Sequence, residues 1–104
     1  MKKRDAENTE DETNTTLNYK LRMFVTGASP NSAKAITNIK NICETHLSGI
    51  YDLEIIDIYQ EPLKAQTEQV IALPMLVKSS PLPLKRLIGD MSDTKKVLKA
   101  LGLE

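Results

Sequence analysis

Two short apolar runs, each cut by proline, constrain this chain more than anything else in it. Val70–Val77 and Leu82–Ile88 stand within the stretch VIALPMLVKSSPLPLKRLIGD, Val70–Asp90, and each closes on a turn signal. Neither run is long enough for a comfortable helix. Each can serve as a buried strand of an α/β sheet, where apolar residues need not alternate. Pro74 carries the sharpest constraint. A proline inside an apolar run has no N–H for a central ladder, so it must stand at an edge, at a strand start or after a cis peptide bond. Two readings stay open: a trans proline on an edge strand, or a cis proline at the mouth of a site.

The core that these runs help to build has to be aliphatic. Among 104 residues, enough for one compact domain, there is no Trp and a single Phe, so Ile, Leu, Val and Met must fill the interior. A formal net charge of zero argues against a dedicated binder of nucleic acid or of a membrane surface. The charge is unevenly placed. Lys2, Lys3 and Arg4 against Asp5, Glu7, Glu10, Asp11 and Glu12 leave residues 1–18 at −2 and the remainder at +2. The single cysteine, Cys43, can neither close an internal disulfide nor supply a metal cluster, and no cofactor is expected. No apolar segment follows the basic start and no run approaches a membrane span, so the cytoplasm is the expected compartment.

Met1–Asn18 is polar and acidic, with Leu17 its only larger aliphatic residue after Met1. Such a segment does not offset the entropy of ordering and is expected to be a flexible tail, with a regulatory arm as the other reading. The domain is then Tyr19 to Glu104. Tyr19–Thr26 alternates Tyr19, Leu21, Met23 and Val25 against Lys20, Arg22, Phe24 and Thr26, a strand to which Phe24 adds apolar surface on the second face. Ser29 caps a helix with Pro30 at its first position, or Asn31 does so instead. That helix runs to about Leu47, with Ile36, Ile39, Cys43 and Leu47 inward, Ala35 and Ile42 beside them, and Lys34, Asn38, Lys40, Asn41 and Glu44 outward. Gly49 lies just past its end.

Leu53–Tyr59 reads as the second strand, and a strand–helix–strand unit of this length implies a right-handed parallel crossover. A short helix follows from Glu61-Pro62 to about Gln69. The two proline-cut runs are then strands separated by Lys78–Pro81, and Ser92 or Asp93 caps a last helix, Thr94–Leu101, whose inner face is Val97, Leu98 and Leu101. The order is βαβαββα in a single α/β domain. That is the thioredoxin-like order.

In redox-active proteins of that fold a cysteine pair sits where the first strand meets the first helix, because the helix N-terminus stabilises a thiolate. Here the loop reads Ser29-Pro30-Asn31-Ser32, and the outer positions are serines. Thiol–disulfide exchange is not expected. Ser29 and Ser32 could line a glutathione or nucleotide site, but serines at a helix start are mostly caps. Cys43 falls on the apolar face of the helix and reads as a buried structural thiol. His46, near a helix C-terminus, complements the dipole rather than binding metal. Asp57 is either a buried hydrogen-bonded acid or faces outward near an edge. Lys85 and Arg86, with Lys78 nearby, form a small basic cluster beside Asp90, either a solvated edge that guards against aggregation or a protein-binding patch.

Together, Gly27-x-x-Pro30-Asn31-Ser32, Tyr51…Ile56-Asp57, Glu61-Pro62, Ala72-x-Pro74, Pro81-x-Pro83 and Arg86-x-Ile88-Gly89-Asp90-x-Ser92 resemble the circadian clock KaiB family over about Tyr19–Leu103. The resemblance implies a non-enzymatic protein that binds a KaiC-like hexameric ATPase and modulates it in a clock or stress-response circuit. It implies two folds, a thioredoxin-like monomer and a resting homo-oligomer, dimer or tetramer, whose C-terminal half is arranged differently. Gly89 and Asp90 match the fold-switch motif, and Lys34, Lys85 and Arg86 match basic positions linked to partner binding. Glu54 and Gln69 stand where the family is usually basic. The acidic C-terminal tail of cyanobacterial members has no counterpart after Glu104, and an acidic stretch stands at the N-terminus instead. The rival reading is a thioredoxin-like sensory or adaptor domain acting on a histidine kinase, and a redox enzyme comes third.

Overall fold

A computed structural model of the chain describes residues 18–27, 29–70 and 72–104. The expected polar tail lies outside these residues except for Asn18. In order, the elements are β1 (Tyr19–Val25), α1 (Pro30–His46), β2 (Tyr51–Asp57), α2 (Pro62–Thr67), β3 (Met75–Ser80), β4 (Lys85–Ile88) and α3 (Thr94–Ala100). The strands form one mixed sheet in the order β2-β1-β3-β4. β1 runs parallel to β2 and antiparallel to β3, which is antiparallel to β4. This is the thioredoxin-like arrangement that the order of elements led us to expect.

Alternation along β1 divides the interior into two cores. Leu21, Met23, Val25 and Leu76 meet Ala35, Ile39, Ile42, Cys43 and Leu47 from the α1 side, and Met91, Val97 and Leu101 from the α3 side. Phe24, Ile56, Met75 and Val77 form the smaller core on the other face, under Ile58, Ala65, Val70 and Leu73. Ala65 brings α2 onto that face, so the sheet is covered on both sides. Buried side chains of this size contribute about 1.5–3 kcal/mol each, and here they are almost all aliphatic.

The ends of several elements depart from the sequence pattern, each for a visible reason. β2 starts two residues earlier than Leu53 and stops at Asp57. Its start is set by the Ile50 carbonyl, which accepts from the amides of Asn18 and Tyr19 (3.0 Å each) and ties the strand ends together. Its stop is set by Asp57, whose carboxylate accepts from Tyr59 N at 2.9 Å and whose carbonyl accepts from Gln60 and Glu61. That turns the chain and leaves Tyr59 exposed. Asp57 is therefore a half-buried turn acceptor at the end of an edge strand.

The first apolar run is not strand throughout. Val70 N donates to Ala65 O, closing off α2, and β3 begins only after Pro74. Lys78, Ser79 and Ser80, read as a separator, instead extend β3, because Leu21 and Lys20 still offer pairing partners, with a register shift between them. In the second run, Leu82 and Leu84 are exposed and only Lys85–Ile88 pairs. Pro81 and Pro83 have no N–H for a ladder. On α1, Ile36 is half-buried rather than central to the core, and Asn38, read as solvent-facing, is half-buried too.

Candidate functional site

The N-terminus of α1 is closed by hydroxyls. Ser29 adopts extended backbone (φ −63°, ψ 150°), and its Oγ accepts from Ser32 N at 3.2 Å, with Pro30 in the first turn. Ser29 Oγ donates to Ser32 Oγ at 2.8 Å, and Ser32 Oγ accepts from Thr26 N at 3.1 Å. Thr26 Oγ1 lies 3.3 Å from Ser29 Oγ. Pro74 is buried, its peptide bond with Leu73 is cis, and a small cleft brings it beside Thr26, Ser29 and Asn31. The hydroxyls in this cleft satisfy one another and the helix end. Their chemistry is that of a cap, since an alcohol does not donate electrons as a thiolate does.

Cys43 lies one turn before the end of α1 and has no exposed surface. Burial, with Glu44 adding to it, pushes its thiol up to about 11, the opposite of what a nucleophile needs. His46 is exposed in the last turn of α1. Tyr51 donates to the Glu44 carboxylate, and chiefly because of that bond its phenol rises to about 12. Among the described residues no group of three or more His, Cys, Asp or Glu is placed to hold a metal ion.

The cations read as one basic cluster are separated by the sheet. Lys85 and Arg86 are neighbours on β4 and point to opposite faces. Arg86 lies on the α2 face, 3.8 Å from Glu68. Lys78, opposite Lys85 in the register, is buried, and its ammonium donates to Pro81 O at 2.8 Å. Desolvation first, and the nearby Lys85 second, lower its pKa. Lys34, exposed on α1, belongs to a third neighbourhood, close enough to Asp90 to help depress that carboxyl. The larger contributions at Asp90 are the Ser92 hydroxyl and the Ser92 amide, which donates to Oδ1 at 3.0 Å.

Gly89 and Asp90 form the turn between β4 and α3. Gly89 N donates to Pro74 O at 3.0 Å, so this turn closes directly over the proline. Gly89 has φ 129°, which a side chain disfavours, and Met91, buried in the α1–α3 core, sits at φ 64°. Asn38 Nδ2 on α1 donates to Asp90 O at 2.9 Å and fastens the turn from outside. A small cleft opens here, lined by Gly89, Asp90, Ser92 and Lys96 among others.

A charge network on the α2 face escaped the reading of the sequence. Glu61, Lys64, Glu54, Arg22, Glu68 and Arg86 follow one another at 2.9, 2.7, 3.5, 3.4 and 3.8 Å. It links β2, β1 and β4 across the sheet and holds α2 and the residue after it. Lys64 lowers the Glu54 carboxyl through their hydrogen bond, and Glu54 in turn raises Lys64. The Glu61–Lys64 spacing is visible in the sequence. The Arg22–Glu54 and Glu68 contacts needed the strand register.

A family profile described as the KaiB domain matches residues 22–103. The chain is similar to the circadian clock oscillator protein KaiB of Synechococcus elongatus, 44% identical over 82% of this chain and 83% of that one. It is also similar to the circadian clock protein KaiB3 of Synechocystis, 48% identical over 81% and 80%. Among solved structures, the N-terminal domain of Synechococcus elongatus SasA superposes with a TM-score of 0.67 at 23% identity, covering 85% of this chain and 87% of that one. Thioredoxins superpose comparably at lower identity.

Proposed function

The chain belongs to the KaiB family, and on that premise we propose that it is a non-catalytic clock-type regulator that binds a KaiC-like hexameric ATPase and modulates its activity. The observation that carries this reading is identity of 44–48% to proteins named as circadian clock components, over about four-fifths of both chains. The site geometry is consistent with it. The position that carries a dithiol in redox relatives of the fold holds a closed hydroxyl cap, and the lone thiol is buried. What remains for function is surface: the cations Lys34, Lys85 and Arg86, which this reading turns toward the partner. Because they occupy different faces, they would touch different parts of it, and Arg86 would first leave Glu68.

A resting homo-oligomer, dimer or tetramer, in the cytoplasm is part of the same reading. So is an alternative packing of the C-terminal half, for which Gly89 and Asp90 form the turn in question. Either a daily clock or a stress circuit would use such a protein. The alternative, an adaptor domain acting on a histidine kinase, has fold similarity alone in its favour. The deciding experiment mixes the purified chain with the purified KaiC-type hexamer of its host, with ATP and with ADP. Co-elution on sizing chromatography and an altered rate of ATP hydrolysis are expected. Separate elution with an unchanged rate under both nucleotides would sink the proposal.

A further inference from the structure

Helix α3 presents an outer face of three lysines, and the sequence upstream of Asn18 carries an acidic segment. Val97 is buried on the inner side of α3, and Lys95, Lys96 and Lys99 are exposed. Lys99 is three and four positions from the other two, so all three share one side of the helix. Among the described residues none of them lies in an ion pair, whereas Arg22, Lys64 and Arg86 all do. The lysines border an open groove whose rim also holds Asp93 and Glu104. Asp93 is already engaged as the α3 cap, accepting from Lys96 N at 3.2 Å.

The first residue of β1 touches the end of this helix through its side chain. Tyr19 Oη donates to Leu101 O at 3.1 Å, just past α3, and Asn18 O accepts from Ser80 Oγ at 3.1 Å. Upstream of Asn18, residues 5–17 contain Asp5, Glu7, Glu10, Asp11 and Glu12 and no basic residue. Glu12 is six residues from Asn18, a reach of up to about 20 Å, and Asp5 reaches about twice as far. A seven-residue helix is about 10 Å long, shorter than either reach. Tethering over so short a span corresponds to a local concentration of about millimolar, above that of a free competitor in dilute solution.

We propose that the acidic segment Asp5–Glu12 docks electrostatically on the Lys95–Lys96–Lys99 face of α3. An acidic partner approaching that face has to displace it. The contact is made by charge alone, so it responds to ionic strength and adds little to the stability of the fold.

The full chain carrying Thr9→Cys, with a nitroxide on the new thiol, tests this; Cys43 is buried and stays unlabelled. At low salt, amide signals of Lys95–Leu101 should weaken selectively. They should recover at about 1 M salt, where the screening length falls to about 3 Å. They should also recover in the Lys95→Gln, Lys96→Gln, Lys99→Gln variant, whose other signals report that it is folded. Uniform weakening, none, weakening centred on another face, or weakening that persists in salt overturns the proposal. Mixing labelled chain with isotope-labelled, nitroxide-free chain covers a second copy as occupant: weakening transferred between molecules also overturns it.

Discussion

Ser29 and Ser32 look equivalent in the sequence and are not equivalent in the fold. Ser29 is a cap whose loss should cost about 1 kcal/mol. Ser32 is buried (1% exposed) and its oxygen accepts from Thr26 N; removing it strands a donor, which costs about 2 kcal/mol. Thermal denaturation of Ser29→Ala and Ser32→Ala should therefore show the second melting lower, and equal losses would refute the distinction. Lys78 makes the opposite case. Its charge is buried (4% exposed) against one carbonyl, and its pKa is lowered, so the fold disfavours the charged form. Stability held back by that charge is recovered as pH rises toward the ordinary lysine value. Lys78→Met should raise Tm at neutral pH by about 5 °C, equivalent to about 1 kcal/mol. A fall in Tm would mean that the bond to Pro81 O outweighs desolvation. At Asp90 the folded pKa is depressed. Its contribution is present above the unfolded value of about 4 and is lost as pH falls through the folded value. The Tm gap between wild type and Asp90→Asn should accordingly be widest near neutrality and close in acid, and a gap independent of pH would contradict the assignment.

At the scale of elements, the turn from β4 into α3 is the most constrained connection. Gly89→Ala places a side chain at φ 129° and should destabilise this structure by about 1 kcal/mol. Open space around the missing Cβ means that backbone strain, not a clash, causes the loss. Denaturant unfolding measures it, and unchanged stability would show that the turn relaxes at no cost. The α2 face behaves differently. Its ion pairs are half-exposed and screened by solvent, and the network orients α2 more than it stabilises it. Glu54 is the acid shared by Arg22 and Lys64. A basic residue there would face two like charges.

For the whole molecule, the two cores account for folding. Residues 1–16 hold Met1 and Ala6 as their only apolar side chains. Deleting Met1–Thr16 should therefore leave Tm nearly unchanged, and a fall beyond about 5 °C, roughly 1 kcal/mol, would show that the segment packs. The same deletion removes the counter-charge proposed for α3, so it should change salt-dependent binding without changing stability. Membership of the KaiB family rests on the sequence, whereas likeness to thioredoxins rests on the fold alone.

Local chemistry was legible without coordinates wherever one residue decides it. Pro30 after Ser29 announced α1, Gly49 its end, and the alternation of Tyr19–Thr26 a strand, which the structure ends at Val25. The order of elements followed, since periodicity and turn residues are local signals. Tertiary structure decided where strands stop and which charges meet. Whether Lys78 is spacer or strand depends on the length of β1 beside it, and whether Arg86 pairs with Glu68 depends on how α2 crosses the sheet. Burial and pairing are properties of neighbours distant in sequence, which no window along the chain contains.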